Sequence, residues 1–258
     1  MIRLTGRGVT YGELWYDEEP ARRADVDILM YRQRSTPMAG ARATPTTLLV
    51  TDLTSSADMI NAAFDTTCRY HIRRADKKDG LRYEIVDQPQ ARIDGFRDFY
   101  DRFAREKSIW LCDREWLVAA CRSNQLTLTI AADADEPLVW HAHVTCGTTA
   151  GLQYSCSQFR NRDNEYRARV ARANRWLHWQ DMLLFKARGL TRYDWGGVFD
   201  DESTPERFGI NNFKRSFGPT KVRTYDCTVP VTLRGRVYLP LRDAWRKRQA
   251  AKADQQAA

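Results

Sequence analysis

The stretch that decides the fold runs from Arg192 to Gly218, RYDWGGVFDDESTPERFGINNFKRSFG. Thr191 to Trp195 is dominated by β-branched and aromatic residues and predicts a strand. Gly196 and Gly197 end it, because paired glycines permit a tight reversal or a close backbone approach. After the acidic run Asp200-Asp201-Glu202, Thr204 reads as a helix cap and Pro205 as the first helical residue. The helix would run to about Phe217 and stop at Gly218-Pro219. Phe213 and Phe217 lie four apart on one face of it, flanked by Lys214 and Arg215.

On the N-terminal side of this stretch, Asn164 to Arg188 reads as a long helix, with Tyr166, Val170, Ala173, Leu177 and Leu184 on one side and Gly189 at its end. Before it come three strands, Gln125–Ala132, Pro137–Cys146 and Gly151–Ser157. Their turns, Asp133-Ala134-Asp135 and Gly147 to Ala150, predict an antiparallel meander. Helices are predicted from about Ala91 to Lys107 and around Trp116 to Cys121, and a strand over Leu81–Val86. Thr54-Ser55-Ser56 caps a single expected helix from about Ala57 to Lys78, preceded by an interior strand, Thr46–Leu53. Arg69, Arg73 and Lys77 form one basic stripe on that helix. The first 45 residues give candidate strands Val9–Tyr16 and Val26–Tyr31 around a charged turn, Asp17–Arg23, then a loop over Arg34–Pro45. Lys221–Val229 is a further strand, Pro240–Ala251 a basic helix, and Lys252–Ala258 a frayed tail.

The 258 residues, 43% hydrophobic with 8 Trp, describe a folded chain rather than a disordered one. A net charge of +8 suits an anionic partner, or serves solubility alone. Six cysteines without a CxxC pair signal neither a structural zinc site nor a thioredoxin-like motif. With no signal peptide and no apolar run of membrane-spanning length, a cytoplasmic protein with reduced thiols is expected. His141 and His143 share one face of the middle meander strand. A metal site there needs a third ligand, and nothing at ligand spacing supplies one, so they are read as lining a pocket or packing. No cofactor or metal is expected.

Tyr193-Asp194-Trp195-Gly196-Gly197 followed by Phe213-Lys214-Arg215-Ser216-Phe217-Gly218 resembles the FemAB-like branch of the GNAT acyltransferase superfamily. Thr67-Cys68-Arg69-Tyr70-His71-Ile72-Arg73-Arg74-Ala75 is similar to a basic segment of that branch, and Asn174 to Trp179 to its Asn-x-x-x-x-Trp segment. The resemblance covers roughly Thr46 to Tyr225. It implies an α+β, GNAT-like fold, with a mixed, mainly antiparallel central sheet flanked by helices. The expected organisation is an acyltransferase domain over 46–229, N-terminal strands over 1–45 that are at most a remnant of a first such unit, and a basic C-terminal helix and tail over 230–258.

The resemblance also implies transfer of an aminoacyl group to an amine, with aminoacyl-tRNA as donor. The acceptor would be an amine of a small molecule, a peptide or a cell-envelope precursor. A GNAT enzyme that uses an acyl-CoA carries a glycine-rich phosphate turn before the long helix. Here no glycine occurs between Gly151 and Gly189, although Arg160 and Arg162 offer cationic side chains. Two alternatives stay open: an acyl-CoA or acyl-carrier N-acyltransferase acting on an amino sugar or amino acid, and an inactive module that binds RNA or a partner. The resemblance implies Lys214 as the catalytic cation and Phe213 beside the donor, with Lys214, Arg215, Arg160 and Arg162 as further donor-binding candidates; the residues alone also allow Phe213 and Phe217 as core and Lys214 as a solvated cation. Asp194 would orient or deprotonate the amine, or else cap the turn made by Gly196-Gly197. Arg69, Arg73, Tyr193, Trp195, Tyr154, His141 and His143 are the acceptor-side candidates, with His71 a weaker one.

Overall fold

A computed structural model describes residues 1–20, 25–86, 88–134, 136–160 and 162–257. The expected Asp17–Arg23 turn lies partly, and Asp135 wholly, outside the described residues. Two units emerge, residues 1–46 with 224–258, and residues 47–223.

The first unit opens with β1 (Ile2–Gly6), β2 (Val9–Trp15) and β3 (Ile28–Arg34). β1 escapes sequence reading because Ile2 and Leu4 give too short an alternation to stand out. It pairs antiparallel with β2, and β2 runs parallel to β3. The chain then enters the second unit through β4 (Arg42–Asp52). It starts inside the segment expected to be a loop.

In the second unit α1 (Ala57–Ala62) and α2 (Thr66–Lys78) replace the single helix expected there. The break has a clear cause. Asp65 caps α2 by accepting from Cys68 N at 2.6 Å, and Phe64 turns inward to full burial against Phe217 and Trp179. Next come β5 (Leu81–Ile85), α3 (Pro89–Lys107), α4 (Arg114–Arg122), β6 (Leu126–Asp133), β7 (Glu136–Cys146) and β8 (Thr149–Ser157). The long helix α5 (Asn164–Ala187), β9 (Arg192–Gly197) and α6 (Pro205–Arg215) follow. Strand order across this unit is β4-β9-β8-β7-β6-β5, antiparallel except where β8 meets β9. On one face Leu49, Phe64, Ile72, Leu177, Phe185, Trp195 and Phe217 pack into the main core. On the other, Phe96 and Phe99 of α3 pack on Trp140 of β7.

β10 (Thr220–Pro230) leads back to the first unit, where Cys227 pairs opposite Tyr31 of β3. Leu14, Val26, Leu29, Tyr31 and Cys227 form that unit's core. The last helix, α7 (Leu233–Ala257), begins earlier than expected, carries Pro240 inside it, and continues through the residues read as a frayed tail. Thr232 starts it, its hydroxyl accepting from Gly235 N at 3.2 Å. Among the described residues no helix is long and apolar enough to cross a membrane, and the six cysteines are free.

Candidate active site

The only parallel contact of the second unit's described strands is short: Thr149 with Arg192, Ala150 with Tyr193 and Gly151 with Asp194. Beyond it β8 continues along β7 while β9 continues along β4. Both strands carry an irregularity just past their last shared pair. β8 fits Gln153 between the partners of Ala142 and His143, and β9 fits an extra residue between those of Leu48 and Val50. A bulge bends its strand and strengthens the local twist. Two bulges on adjacent strands part them, leaving Leu152–Ser157 and Trp195–Gly197 without each other as partners. The pairing of β8 with β9 ends at Asp194.

Lys214 reaches the opening. Gly196 is in the left-handed region at φ +76, and a Cβ on it would lie 3.8 Å from Leu152 O and 3.9 Å from Lys214 Nζ. The ammonium donates to Gly197 O at 2.7 Å, and the Asp194 carboxylate accepts from Gly196 N, also at 2.7 Å. Burial lowers the Lys214 pKa to about 8, with the negative charge of Asp194 opposing the fall. The reason Lys214 points here is local. Thr204 caps α6, accepting from Arg207 N at 3.3 Å. Asn211 then pins the preceding loop, donating to Phe199 O at 2.8 Å and to Glu202 at 2.9 Å. Phe217 is fully buried 4.5 Å from the Trp195 ring, which anchors the far end.

Arg215 does not join this site. It makes a bidentate pair with Glu202 at 2.6 and 2.7 Å, so it clamps the loop to the helix instead of facing a donor. Phe213 lines a cavity of about 370 Å³ with Ser157, Phe159, Asn174 and Arg175, and the Arg175 guanidinium lies 4.9 Å over its ring. Arg160 and Arg162 line a neighbouring cavity of about 370 Å³ that shares Phe159. There Arg160 donates to Glu106 O and Arg162 pairs with Glu136 at 3.2 Å. Arg69 and Arg73 line a third cavity, about 630 Å³, with Asp58, Asp76 and Trp179. Arg69 donates to Ala62 O and Phe64 O, so it caps α1. Lys214 does not line this third cavity. Tyr154 is also elsewhere, its hydroxyl accepting from Asp113 N at 3.3 Å amid Phe96, Tyr100 and Trp116. Trp195 is buried and donates to Thr51 Oγ1 at 3.0 Å, so it supports the opening without lining it.

Beneath the opening lies a polar layer with no exposure. Tyr193 holds its hydroxyl 3.1 Å from His143 Nε2 and 2.8 Å from His178 Nδ1. Burial pushes His143 down to about 4 and His178 well below its ordinary value, while it raises Tyr193. Both imidazoles are therefore neutral at pH 7, and the hydroxyl donates to one and accepts from the other. His141 Nδ1 lies 2.7 Å from Asp181, which also accepts from the Tyr83 hydroxyl at 3.0 Å. His141 Nε2 lies 3.0 Å from Asn174 Oδ1, and Asn174 lines the Phe213 cavity. The ligand atoms of His141, His178 and Asp181 gather within 4.8 Å. Yet His141 Nδ1 is spent on Asp181 and His178 Nδ1 on Tyr193, which is the geometry of a hydrogen-bonded chain. His141 and His143 thus pack beneath the opening instead of lining it. Asn174 and His178 lie in the segment that carries the resemblance but were given no role there, and Asp181 was not singled out. Their signal was spacing: i, i+4 and i+7 place three polar side chains on one strip of α5.

No protein-family model matches the sequence, and no curated protein matches it. Solved structures do match. The crystal structure of FemX aligns with a TM-score of 0.58 at 15% identity, covering 70% of this chain and 61% of that one. The C-terminal domain of a putative lysylphosphatidylglycerol synthetase from Agrobacterium fabrum aligns with a TM-score of 0.53 at 16% identity, over 78% and 67% of the two chains. L-PGS from Bacillus licheniformis gives 0.50 at 12% identity, over 78% and 67%. The chain thus spans 61% of the FemX chain, and the likeness at these identities is one of fold. The fold shared with these structures is α+β, with a mixed, mainly antiparallel sheet flanked by helices, as the motifs at Tyr193–Gly197 and Phe213–Gly218 led us to expect.

Proposed function

We propose that this chain is an amide-forming transferase that moves an aminoacyl group from aminoacyl-tRNA to an amine. The observation that carries the reading is the parting of β8 and β9 beyond Gly151 and Asp194, with the Lys214 ammonium beside Gly196. An aminoacyl ester is already activated, so the protein needs to position two groups and steady the charge that develops between them. The amine attacks the ester carbonyl, a C–N bond forms and an oxyanion develops. The C–O bond then breaks, and the proton lost by the amine goes to the departing ribose hydroxyl. Lys214 would face the oxyanion, and buried Asp194 would hold its charge in place. Phe213 would wall the channel, since Arg175 already covers its ring.

The choice of tRNA over a coenzyme A thioester is supported at the start of α5. The Asp163 carboxylate occupies that helix N-terminus, accepting from Tyr166 N at 2.8 Å, and Glu165 adds a second negative charge in the first turn. Anions already placed there disfavour a pyrophosphate. The acceptor is an amine of a small molecule, a peptide or a cell-envelope precursor. The test is transfer of label from radiolabelled aminoacyl-tRNA to a panel of amines. Label should enter an alkali-stable amide, and prior ribonuclease treatment should abolish this. Transfer from an acyl-CoA that survives ribonuclease would replace the donor, and no transfer from either would remove the activity.

A further inference from the structure

Between α3 and α4 the chain carries Ile109, Trp110 and Leu111 in a row, 45%, 92% and 51% exposed. Apolar residues scattered singly on a surface need no explanation, but contiguous ones do. This loop is fastened at both ends. Ser108 ends α3 in the left-handed region at φ 53, and Ile109 N donates to Ala104 O at 3.0 Å. Cys112 N donates to the Asp101 carboxylate at 2.9 Å, and Asp113 caps α4 by accepting from Trp116 N at 2.9 Å. Its apolar tip is therefore held outward.

Basic side chains lie on the segments that lead to the tip, alongside Asp101, Glu106, Asp113 and Glu115. Lys107 lies 5.3 Å over the Phe103 ring and Arg102 5.7 Å over Phe99. Arg160 reaches across from the β8–α5 loop to the carbonyl of Glu106. Arg92, Arg102, Arg160 and Arg162 line the 370 Å³ cavity, where Arg92 pairs with Glu84 at 3.1 Å, Arg162 with Glu136 at 3.2 Å and Arg160 with Glu106 at 4.0 Å. We propose that this edge docks on an anionic phospholipid bilayer, with Ile109, Trp110 and Leu111 entering the interface and Arg102, Lys107 and Arg160 lying against lipid phosphates. Tryptophan favours the headgroup level of a bilayer, and an apolar tip with a basic rim is the pattern of a peripheral anchor. Each cation near an anionic surface contributes about fivefold in partition. Isoleucine and leucine offer no ring for stacking on bases, which sets RNA aside as the occupant. A three-residue tip falls well short of the area of about 1,000 Å² that a specific protein interface buries, which sets aside a second copy.

Docking goes beyond the transfer reading and is tested without it. The full chain is sedimented with sucrose-loaded vesicles of phosphatidylcholine alone, and of phosphatidylcholine mixed with phosphatidylglycerol. It should partition to the mixed vesicles and release as salt rises. The variant Ile109→Ser/Trp110→Ser/Leu111→Ser should partition at least about tenfold more weakly with an unchanged circular dichroism spectrum. Brominated phosphatidylglycerol should quench part of the wild-type tryptophan emission, and Trp110→Ser should lose that part. The proposal is overturned if the wild type ignores mixed vesicles, or if the triple variant partitions equally. It is also overturned if the triple variant changes only tRNA retention or oligomeric mass.

Discussion

Replacing Lys214 with methionine should separate catalysis from stability. The shift of its pKa from 10.5 to about 8 means the folded site disfavours the ammonium by about 3 kcal/mol at neutral pH, an upper value for a half-buried group. The sign follows from the two pKa values. Below pH 8 both states are protonated and the penalty is fully present. It fades as pH rises toward 10.5, because the folded state has already released the proton. The Lys214→Met substitution would remove that penalty. It would also leave the Gly197 carbonyl without its donor, which costs about 1 kcal/mol. The melting temperature at pH 7 should therefore stay level or rise by a few degrees. Transfer should fall by about 100-fold or more, the cost of losing one oxyanion donor. Thermal unfolding by circular dichroism and single-turnover transfer measure the two quantities on the same samples. The reasoning fails if the variant keeps activity within tenfold of wild type, or if it loses activity only by unfolding.

The remaining expectations concern the surroundings of Lys214. Its titration should appear as an alkaline limb in kcat/KM with a midpoint near pH 8, and Asp194→Asn should move that midpoint lower, because Asp194 holds the ammonium pKa up. Tyr193→Phe removes the hydroxyl that serves two buried imidazoles, and urea titration should register a loss of about 2–4 kcal/mol. Gly218→Ala combines φ +61 with a Cβ 2.3 Å from Ala63 O, so thermal unfolding should show a cost of about 3 kcal/mol or more.

Much of this fold was legible because local chemistry and tertiary structure agree in the stretch from Arg192 to Gly218. Thr204 does cap α6, and Gly196 does adopt the left-handed conformation. Sequence reasoning failed where a residue's task depends on a distant partner. Arg69 and Arg215 look alike as cations on helices, yet one closes α1 and the other is held by Glu202. No spacing rule reveals either. His141 and His143 were read without a nearby acid because Asp181 comes from α5, forty positions on. The break between α1 and α2 was hidden because Asp65 and Phe64 fit a continuous helical pattern until Phe217 gives Phe64 somewhere to go.

The central claim is that the opening between β8 and β9 receives the reacting acyl group beside Lys214. A crystal structure with a stable amide analogue of aminoacyl-adenosine tests this most directly. The acyl carbonyl oxygen should lie about 3 Å from Lys214 Nζ, between Leu152–Ser157 and Trp195–Gly197. Density for the analogue in the Arg69–Arg73 cavity, with the opening empty, would contradict the account.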